Sequence, residues 1–161
     1  MTRVSDVMTR GVRTLTPESS VVQAAQAMEE LNVGVIPVCN GEKLVGMVTD
    51  RDIVVRGVAR GGELKSLKLS DVMSAHVRCA REDDHVDQVL SEMGEAQIRR
   101  MPVVDANQRL VGIVSLGDIA AKGPEDEVDV ANSLGHISSP AKPDRSVEEA
   151  AKSQSQSQSQ H

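Results

Sequence analysis

Two segments of the chain place a hydroxyl and a carboxylate three residues apart, each directly after a short apolar run. They read Gly46-Met47-Val48-Thr49-Asp50-Arg51-Asp52 and Gly112-Ile113-Val114-Ser115-Leu116-Gly117-Asp118. The hydroxyl stands where a helix would begin, and a spacing of three puts both groups on one face of its first turn. Free backbone N–H groups there suit a phosphate, and a carboxylate can accept hydrogen bonds from both vicinal hydroxyls of a ribose. The motif therefore predicts a site for a phosphorylated ribose, and its glycine would let that ligand approach the backbone.

The same spacing also has a purely structural interpretation. Thr-x-x-Asp and Ser-x-x-Asp resemble a capping box, in which the two side chains satisfy the free N–H groups of the helix and no ligand is needed. Taken singly, either motif is more often a cap than a nucleotide site. Its recurrence in both halves favours a ligand, although common descent of the two halves explains part of that recurrence.

The two motifs belong to a repeat that spans most of the chain. Asp6-Val7-Met8 returns as Asp71-Val72-Met73, and Pro37-Val38 returns as Pro102-Val103, at an offset of 65 residues that becomes 66 after the prolines. A unit of this length cannot bury its own apolar face and packs against its copy. We therefore expect a pseudo-two-fold axis and two corresponding sites.

A proline occupies the same strand position in both copies, at Pro37 and Pro102. Proline removes a donor from the ladder and is tolerated at strand edges, strand starts and bulges. The pair therefore predicts an exposed edge on which a flat ring could lie. Because the chain has no Phe, Tyr or Trp, that ring would have to lie between Val, Ile and Met side chains.

The cations near the motifs differ between the copies. Arg51 in the first motif is replaced by Gly117 in the second, and Arg99-Arg100 stands where the first copy has Gly34-Val35. Each site could thus have its own phosphate partner, or these arginines could be solvated surface residues.

Each copy predicts a strand, a helix, two strands and a short closing helix. The first long helix is expected to begin with the cap Thr16 and Pro17 and to end at Gly34, and Asn40-Gly41 predicts a hairpin. Its apolar periodicity turns these residues inward: Val21, Ala24, Ala25, Met28 and Leu31. The other expected elements are strands Val12–Leu15, Val35–Cys39, Leu44–Val48, Val77–Ala80, Arg100–Val104 and Leu110–Val114, a helix near Asp84–Ala96, and closing helices from Thr49 and Ser115.

Composition argues against several classes of function. The 161 residues carry a net charge of −6 and no aromatic side chain, whereas nucleic-acid-binding surfaces are usually basic or offer stacking platforms. The apolar runs are too short to span a membrane, and no signal peptide is visible, so a cytoplasmic protein without nucleic-acid or membrane partners is expected. Cys39 and Cys79 predict free thiols. The four histidines show neither catalytic nor metal-ligand spacing, so we expect no enzyme and no metal site.

In combination, the Asp-Val-Met opening, the apolar-Pro-Val strand and the closing motif of glycine, two apolar residues, Thr or Ser and Asp resemble a tandem pair of CBS domains, a Bateman module. The resemblance covers roughly Ser5–Gly123 and is closest to the stand-alone bacterial signal-transduction and stress-response type. It implies an α/β (α+β) fold of two βαββα repeats packed around a pseudo-two-fold axis. It also implies homodimers and adenosine-containing ligands such as AMP, ADP, ATP, S-adenosylmethionine or NAD.

The resemblance also implies which residues form the two sites. Asp52 and Asp118 would hold the ribose, Thr49 and Ser115 a phosphate, and strand residues the adenine. The expected first site consists of Val12, Thr14, Val35, Ile36, Pro37, Gly46, Thr49, Arg51 and Asp52. The expected second site consists of Val77, Arg100, Met101, Pro102, Gly112, Ser115 and Asp118.

The sequence thus predicts a nucleotide-binding sensor that acts through its dimer state or through an unidentified protein partner. The alternative is an interaction scaffold with vestigial clefts. We expect a first repeat with its linker at 1–66, a second repeat at 67–123, a short helix within 124–137 and a disordered Ser/Gln-rich tail at 138–161. The tail is expected to lack structure because it contains too little apolar surface to offset its ordering entropy.

Overall fold

The computed structural model describes residues 2–122, in which helices and strands follow a similar order in each half. In chain order they are α1 (Val4–Val7), α2 (Val21–Leu31), β1 (Val35–Asn40), β2 (Lys43–Thr49), α3 (Asp50–Asp52), a π-helix (Ile53–Val58), α4 (Leu69–Val72), β3 (Ser74–Ala75), β4 (Ala80–Arg81), α5 (Val86–Ala96), β5 (Arg100–Val104), β6 (Leu110–Ser115) and α6 (Leu116–Lys122). The expected mixed α and β fold of two equivalent units is confirmed.

The strands form two three-stranded sheets, ordered β1-β2-β3 and β4-β5-β6. The antiparallel hairpin of each repeat is the main part of each sheet, and both hairpins were predicted. β3 lies after α4 in the second half of the chain, yet it pairs with β2 of the first half through Met47 and Ser74. The corresponding crossing in the other direction is the bridge between Thr9 and Ile113. Each repeat therefore contributes an edge to the sheet of the other.

The hydrophobic cores show the same exchange. Val4 and Val7 of α1 are fully buried in a cluster formed by α5, β5, β6 and α6 of the second repeat. Leu69 and Val72 of α4 are fully buried in the cluster of α2, β1 and β2 of the first repeat. A third cluster, which includes Cys39, Leu44, Met47 and Val104, joins the two sheets. The domain boundary between residues 66 and 67 stays a prediction. The first two cores each contain residues from both sides of it.

Two expected strands are largely absent. Of Val12–Leu15 only Leu15 pairs, in a parallel bridge to Val38, and of Val77–Ala80 only Ala80 lies in a strand, β4. The β-branched residues that favour strands at these positions lie before the single point where the chain meets the sheet. The preceding residues have no neighbouring strand to pair with and form no ladder.

The first long helix begins later than expected. Thr16 and Ser19 close a turn in which the Ser19 N–H donates to the Thr16 carbonyl at 3.0 Å, and the helix starts after Ser20. The Ser20 hydroxyl accepts from the Gln23 N–H at 3.0 Å, and the Gln23 side chain accepts from the Ser20 N–H at 2.9 Å. This reciprocal pair is a capping box, which Thr16 cannot form.

The same helix also differs from its prediction at its end and on its buried face. It ends at Asn32, which adopts the left-handed conformation with φ +53°, so Gly34 is not its cap. The inward residues are Val21, Ala24, Ala27 and Met28, whereas Ala25 and Leu31 are exposed. In the second repeat α5 buries the apolar residues that recur at helical spacing: Val86, Val89, Leu90 and Met93.

The prolines are not exposed as expected, although β1, which contains Pro37, is an outer strand of its sheet. Both are buried, and Pro102 lies in β5, the central strand of its sheet. Pairing of β5 with β4 begins at Val103, after the residue that lacks an N–H. In the first repeat the Pro37 carbonyl accepts a hydrogen bond from the Leu15 N–H at 3.2 Å. Pro37 is therefore tolerated because it offers its neighbour a carbonyl rather than a donor, and Pro102 because the pairing with β4 begins one residue later.

The remaining sequence predictions divide between described and undescribed residues. Cys39 and Cys79 are free thiols as expected, and burial raises the pKa of both. Within residues 2–122, none of the helices has the length and apolar character required to cross a membrane. The helix predicted within 124–137 and the tail predicted at 138–161 lie outside the described residues.

Candidate ligand-binding clefts

The hydroxyl and the carboxylate of each closing motif do form a capping box. The Thr49 hydroxyl accepts from the Asp52 N–H at 3.0 Å, while Asp52 Oδ2 accepts from the Thr49 N–H at 3.0 Å. Ser115 and Asp118 repeat this arrangement, with both distances again 3.0 Å. All four residues are only partly buried.

The capping role leaves part of each motif available. Only Oδ2 of each carboxylate is used by the cap, so Oδ1 is left to accept further hydrogen bonds. Each hydroxyl oxygen accepts from the backbone, and its own proton can still be donated to a ligand oxygen. The structural and ligand-binding interpretations are therefore compatible in the same four residues.

The glycines of the two motifs have a different role from the one expected. A Cβ on Gly112 would lie 2.6 Å from the carbonyl oxygen of Thr9, and a Cβ on Gly46 would lie 2.6 Å from that of Ser74. The close approach is thus made by the crossing segment of the protein itself. Neither glycine lines the cleft described next.

One cleft of about 420 Å³ combines predicted residues of both sites. Its apolar wall comes from the first repeat and includes Val12, Val35, Ile36 and Pro37. Its polar wall includes Arg100, Ser115 and Asp118 from the second repeat. We call this space the Asp118 cleft.

The composite lining corrects the grouping that the sequence predicted. The apolar residues expected with Thr49 and Asp52 line the cleft of Ser115 and Asp118, where the bridge between Thr9 and Ile113 brings the segment after α1 alongside β6. Val35 is also the cross-strand partner of Thr49. The ligand roles of these residues stay predictions. By pseudo-symmetry, the pairing of Ser74 with Met47 predicts a second site in which Val77, Met101 and Pro102 accompany Thr49 and Asp52.

Thr14 and Val77 line other cavities. Thr14 faces a cavity of about 430 Å³ that also includes Val12, Cys39 and Arg109. Val77 faces one of about 310 Å³ with Leu44, His76 and Cys79. Thr14 is therefore separated from the Asp118 cleft, although Val12 lines both spaces.

Three arginines line the Asp118 cleft: Arg10, Arg13 and Arg100. Sequence reasoning identified only Arg100, because nothing in the chain signals that Arg10 and Arg13 would cross to the other repeat. Arg13 forms an ion pair with Glu30 at 2.9 Å, and this contact raises the pKa of Arg13 and lowers that of Glu30. Arg51, expected in the first site, is exposed on α3 and does not line this cleft.

Residues 2–122 contain no group of three or more His, Cys, Asp or Glu side chains placed to hold a metal ion. The polar groups that converge on the Asp118 cleft are a carboxylate, a hydroxyl and guanidinium groups. Such a set can orient a ligand that carries vicinal hydroxyls and negative charge.

Comparison with known proteins identifies the repeat. The family model described as the CBS domain matches residues 4–57 and 69–124. The protein YlbB of Bacillus subtilis is 43% identical over 129 residues, which cover 79% of this chain and 86% of that protein. Hypoxic response protein 1 of Mycobacterium tuberculosis is 35% identical over 129 residues, covering 80% of this chain and 90% of that protein.

Solved structures show the same architecture. Hypoxic Response Protein I, crystallised with two coordinated zinc ions, has a TM-score of 0.70 at 35% identity and covers 76% of this chain and 100% of its own. CBSX2 in complex with AMP has a TM-score of 0.67 at 27% identity, covering 75% and 95%. The CBS domain pair of MJ0100, in complex with 5′-methylthioadenosine and S-adenosyl-L-methionine, has a TM-score of 0.66 at 31% identity, covering 75% and 94%.

Proposed function

The chain belongs to the CBS-domain family, and from that premise we propose that it is a regulatory module whose clefts bind an adenosine-containing ligand. AMP, ADP, ATP, S-adenosylmethionine and NAD are the candidates. The observation that supports this best is the Asp118 cleft, in which an apolar wall faces a carboxylate, a hydroxyl and guanidinium groups. The structures of CBSX2 with AMP and of MJ0100 with two adenosine derivatives support the same ligand class.

The chemistry of the cleft fits the three parts of such a ligand. An adenine ring would pack against Val12, Ile36 and Pro37, where contact with apolar side chains removes its faces from water. Asp118 Oδ1 would accept hydrogen bonds from the ribose hydroxyls, since Oδ2 is used by the cap. The Ser115 hydroxyl would donate to the 5′ substituent.

A thermal-shift series with AMP, ATP, S-adenosylmethionine and NAD tests the proposal. A ligand present at a hundred times its dissociation constant stabilises the folded state by about 2.7 kcal/mol, so a true ligand should raise the Tm. Guanosine and cytidine monophosphates serve as controls, because they keep the phosphate and change the base. If none of the adenosine compounds shifts the Tm or binds in calorimetry, the proposal is wrong and the scaffold alternative takes its place.

We further propose that binding is communicated through a homodimer or a docked protein. The π-helix Ile53–Val58 begins directly after Asp52 and exposes Val54, Val55 and Val58 to 56%, 47% and 51%. Clustered exposed apolar residues often mark an interaction surface. A ligand on Asp52 would therefore act two residues before Val54, the first residue of that surface.

A further inference from the structure

One arginine connects the π-helix of the first repeat to the end of α4. Nη1 of Arg56 donates to the carbonyl oxygen of Val72 at 3.3 Å and to that of Met73 at 3.1 Å. Both carbonyls stand at the C-terminal end of α4, where a helix leaves acceptors without a donor of its own. Hydrogen bonds from a charged donor are stronger than those between neutral groups, so this side chain holds the two elements together.

The π-helix and α4 also pack against each other beside this arginine. Gly57 is buried, and a Cβ placed on it would lie 3.9 Å from Cγ1 of Val72. Arg56 itself is half-buried. It therefore differs from a solvated surface arginine, because its position is fixed both by packing and by its two hydrogen bonds.

At one end, this connection begins at a predicted ligand motif. We call the second site that pseudo-symmetry predicts the Asp52 site. Its carboxylate, Asp52, directly precedes Ile53, the first residue of the π-helix. Within that helix the Ala59 N–H donates to the Val54 carbonyl at 2.8 Å. Such hydrogen bonds over five residues are rare and occur frequently at functional sites.

At the other end, the connection leads to the segment that crosses to the sheet of the first repeat. Ser74 follows the carbonyl of Met73 in the chain and pairs with β2. The approach is close, because a Cβ on Gly46 would lie 2.6 Å from the Ser74 carbonyl oxygen. At the offset of 65 residues, Ser74 corresponds to Thr9, which lines the Asp118 cleft. We therefore expect Ser74 to line the Asp52 site.

The second repeat has no equivalent connection. At the offset of 66 residues, Arg56 corresponds to Lys122, which is exposed at the end of α6. Within residues 2–122, no hydrogen bond joins Lys122 to the carbonyls at the end of α1, those of Val7 and Met8. The closing segment of this repeat is also an α-helix, whereas that of the first repeat continues as a π-helix.

We propose that Arg56 is a positioning residue for the Asp52 site. It does not contact the ligand. It holds the crossing segment that begins at Ser74 in place relative to Asp52, so that the site is ordered before a ligand binds, and an ordered site loses less conformational freedom on binding. This inference rests on the proposed function. It makes the two sites differ, because binding at the Asp52 site depends on Arg56 and binding at the Asp118 cleft does not.

Calorimetry with AMP tests the inference in the full chain, with each site observed alone. Asp118→Ala leaves the Asp52 site, and Asp52→Ala leaves the Asp118 cleft. Arg56→Gln keeps part of the aliphatic stem and removes the guanidinium group. It should weaken AMP binding at the Asp52 site by about three- to thirtyfold, the effect of substitutions that act through a network of contacts. Binding at the Asp118 cleft should stay within about twofold.

Amide hydrogen exchange, followed by NMR without ligand, tests the positioning itself. The Met73 N–H donates to the Leu69 carbonyl at 2.8 Å, and the equivalent Met8 N–H donates to the Val4 carbonyl at 2.9 Å. In Arg56→Gln the Met73 N–H should exchange faster than in the wild type, because local opening becomes easier where contacts are lost. The exchange of the Met8 N–H should not change.

Two controls separate positioning from a general loss of stability. Arg60→Gln removes an exposed arginine and should leave AMP binding at both sites unchanged. Ala24→Gly weakens the core of the first repeat, in which Ala24 is 0% exposed, and should lower the Tm without weakening the Asp52 site selectively.

The outcomes distinguish this inference from the proposed function. If Arg56→Gln leaves AMP binding at the Asp52 site unchanged, or weakens both sites equally, the inference is wrong while the proposed function stands. If AMP binds neither site and no compound of the thermal-shift series raises the Tm, the proposed function fails. The exchange of the Met73 N–H then still decides whether Arg56 holds the crossing segment.

Discussion

Thr9 and Ile113 exchange two backbone hydrogen bonds, with the Thr9 N–H donating to the Ile113 carbonyl at 2.8 Å and the Ile113 N–H donating back at 2.9 Å. They are 104 positions apart in the chain. This one bridge brings the start of the first repeat to the closing motif of the second. Because of this bridge, both repeats contribute residues to the lining of the Asp118 cleft. The close approach of Thr9 to β6 depends on the neighbouring Gly112.

Gly112 should therefore be sensitive to the smallest substitution. A Cβ at this position would lie 2.6 Å from the Thr9 carbonyl oxygen, so Gly112→Ala must push the crossing segment away. We expect a loss of about 1–3 kcal/mol in the free energy of unfolding, the usual range for overpacking, measured by urea denaturation.

Gly117→Ala is the matched control, because the nearest atom to its added Cβ lies at 3.7 Å. It falls in α6, where alanine is preferred over glycine by about 0.8–1 kcal/mol, so it should be neutral or stabilising. Equal destabilisation by both substitutions would show that the Thr9 contact is not the cause.

Asp118→Ala should weaken ligand binding far more than it weakens the fold. Removing a carboxylate that hydrogen-bonds to ribose costs about 1.5–3 kcal/mol of binding free energy, which calorimetry with AMP or ATP measures in the Asp52→Ala background. Asp6→Ala is the control, since Asp6 also accepts from its own N-cap, at 3.0 Å from the Arg3 nitrogen, but lies outside the cleft. If both variants bind equally well, the motif is a cap and nothing more.

The hairpins, the closing motifs and the buried face of α5 could be predicted from the sequence because each depends on local signals. The hairpin turn was predicted one residue early, since Asn40 pairs with Lys43 and the turn is Gly41, with φ +62°, and Glu42. The Thr49 and Asp52 spacing defines a cap. The start of α2 was missed because two hydroxyl residues competed for the cap. Ser20 has Gln23 three residues later to complete the box, and Thr16 does not.

The composition of the cleft could not be predicted, because it depends on contacts between the repeats. A duplicated sequence shows which residues are equivalent and gives no sign of which copy each will contact. Grouping Val12 and Pro37 with Asp52 followed the chain order, whereas both line the cleft of Asp118, which the bridge between Thr9 and Ile113 helps to form. For the same reason α1 and α4 were not predicted: they are short apolar segments that form helices because they are buried against the core of the other repeat.

Because α1 and α4 each pack in the core of the other repeat, α4 contributes to the stability of the first repeat. Leu69 is 0% exposed in that core, so Leu69→Ala should lower the free energy of unfolding by about 2–5 kcal/mol. Leu64, in the segment that precedes α4, is 39% exposed. Leu64→Ala should change the free energy of unfolding by no more than about 0.5 kcal/mol. Chemical denaturation of the two variants compares them directly, and similar small effects would contradict the exchanged core.

The exposed valines of the π-helix should form the contact of a homodimer. A closed two-fold contact uses the same surface on both subunits, so a charge placed there meets its own copy and has no water around it. Val54→Glu should therefore convert a dimer to a monomer in light scattering at micromolar concentration. Val54 lies outside the capping residues Thr49 and Asp52, so adenosine binding by the Asp118 cleft should be retained.

Val22→Glu, at an exposed position of α2, is the control and should remain dimeric. A wild-type protein that is monomeric under these conditions would refute the dimer itself, whereas a Val54→Glu dimer would refute only the choice of surface.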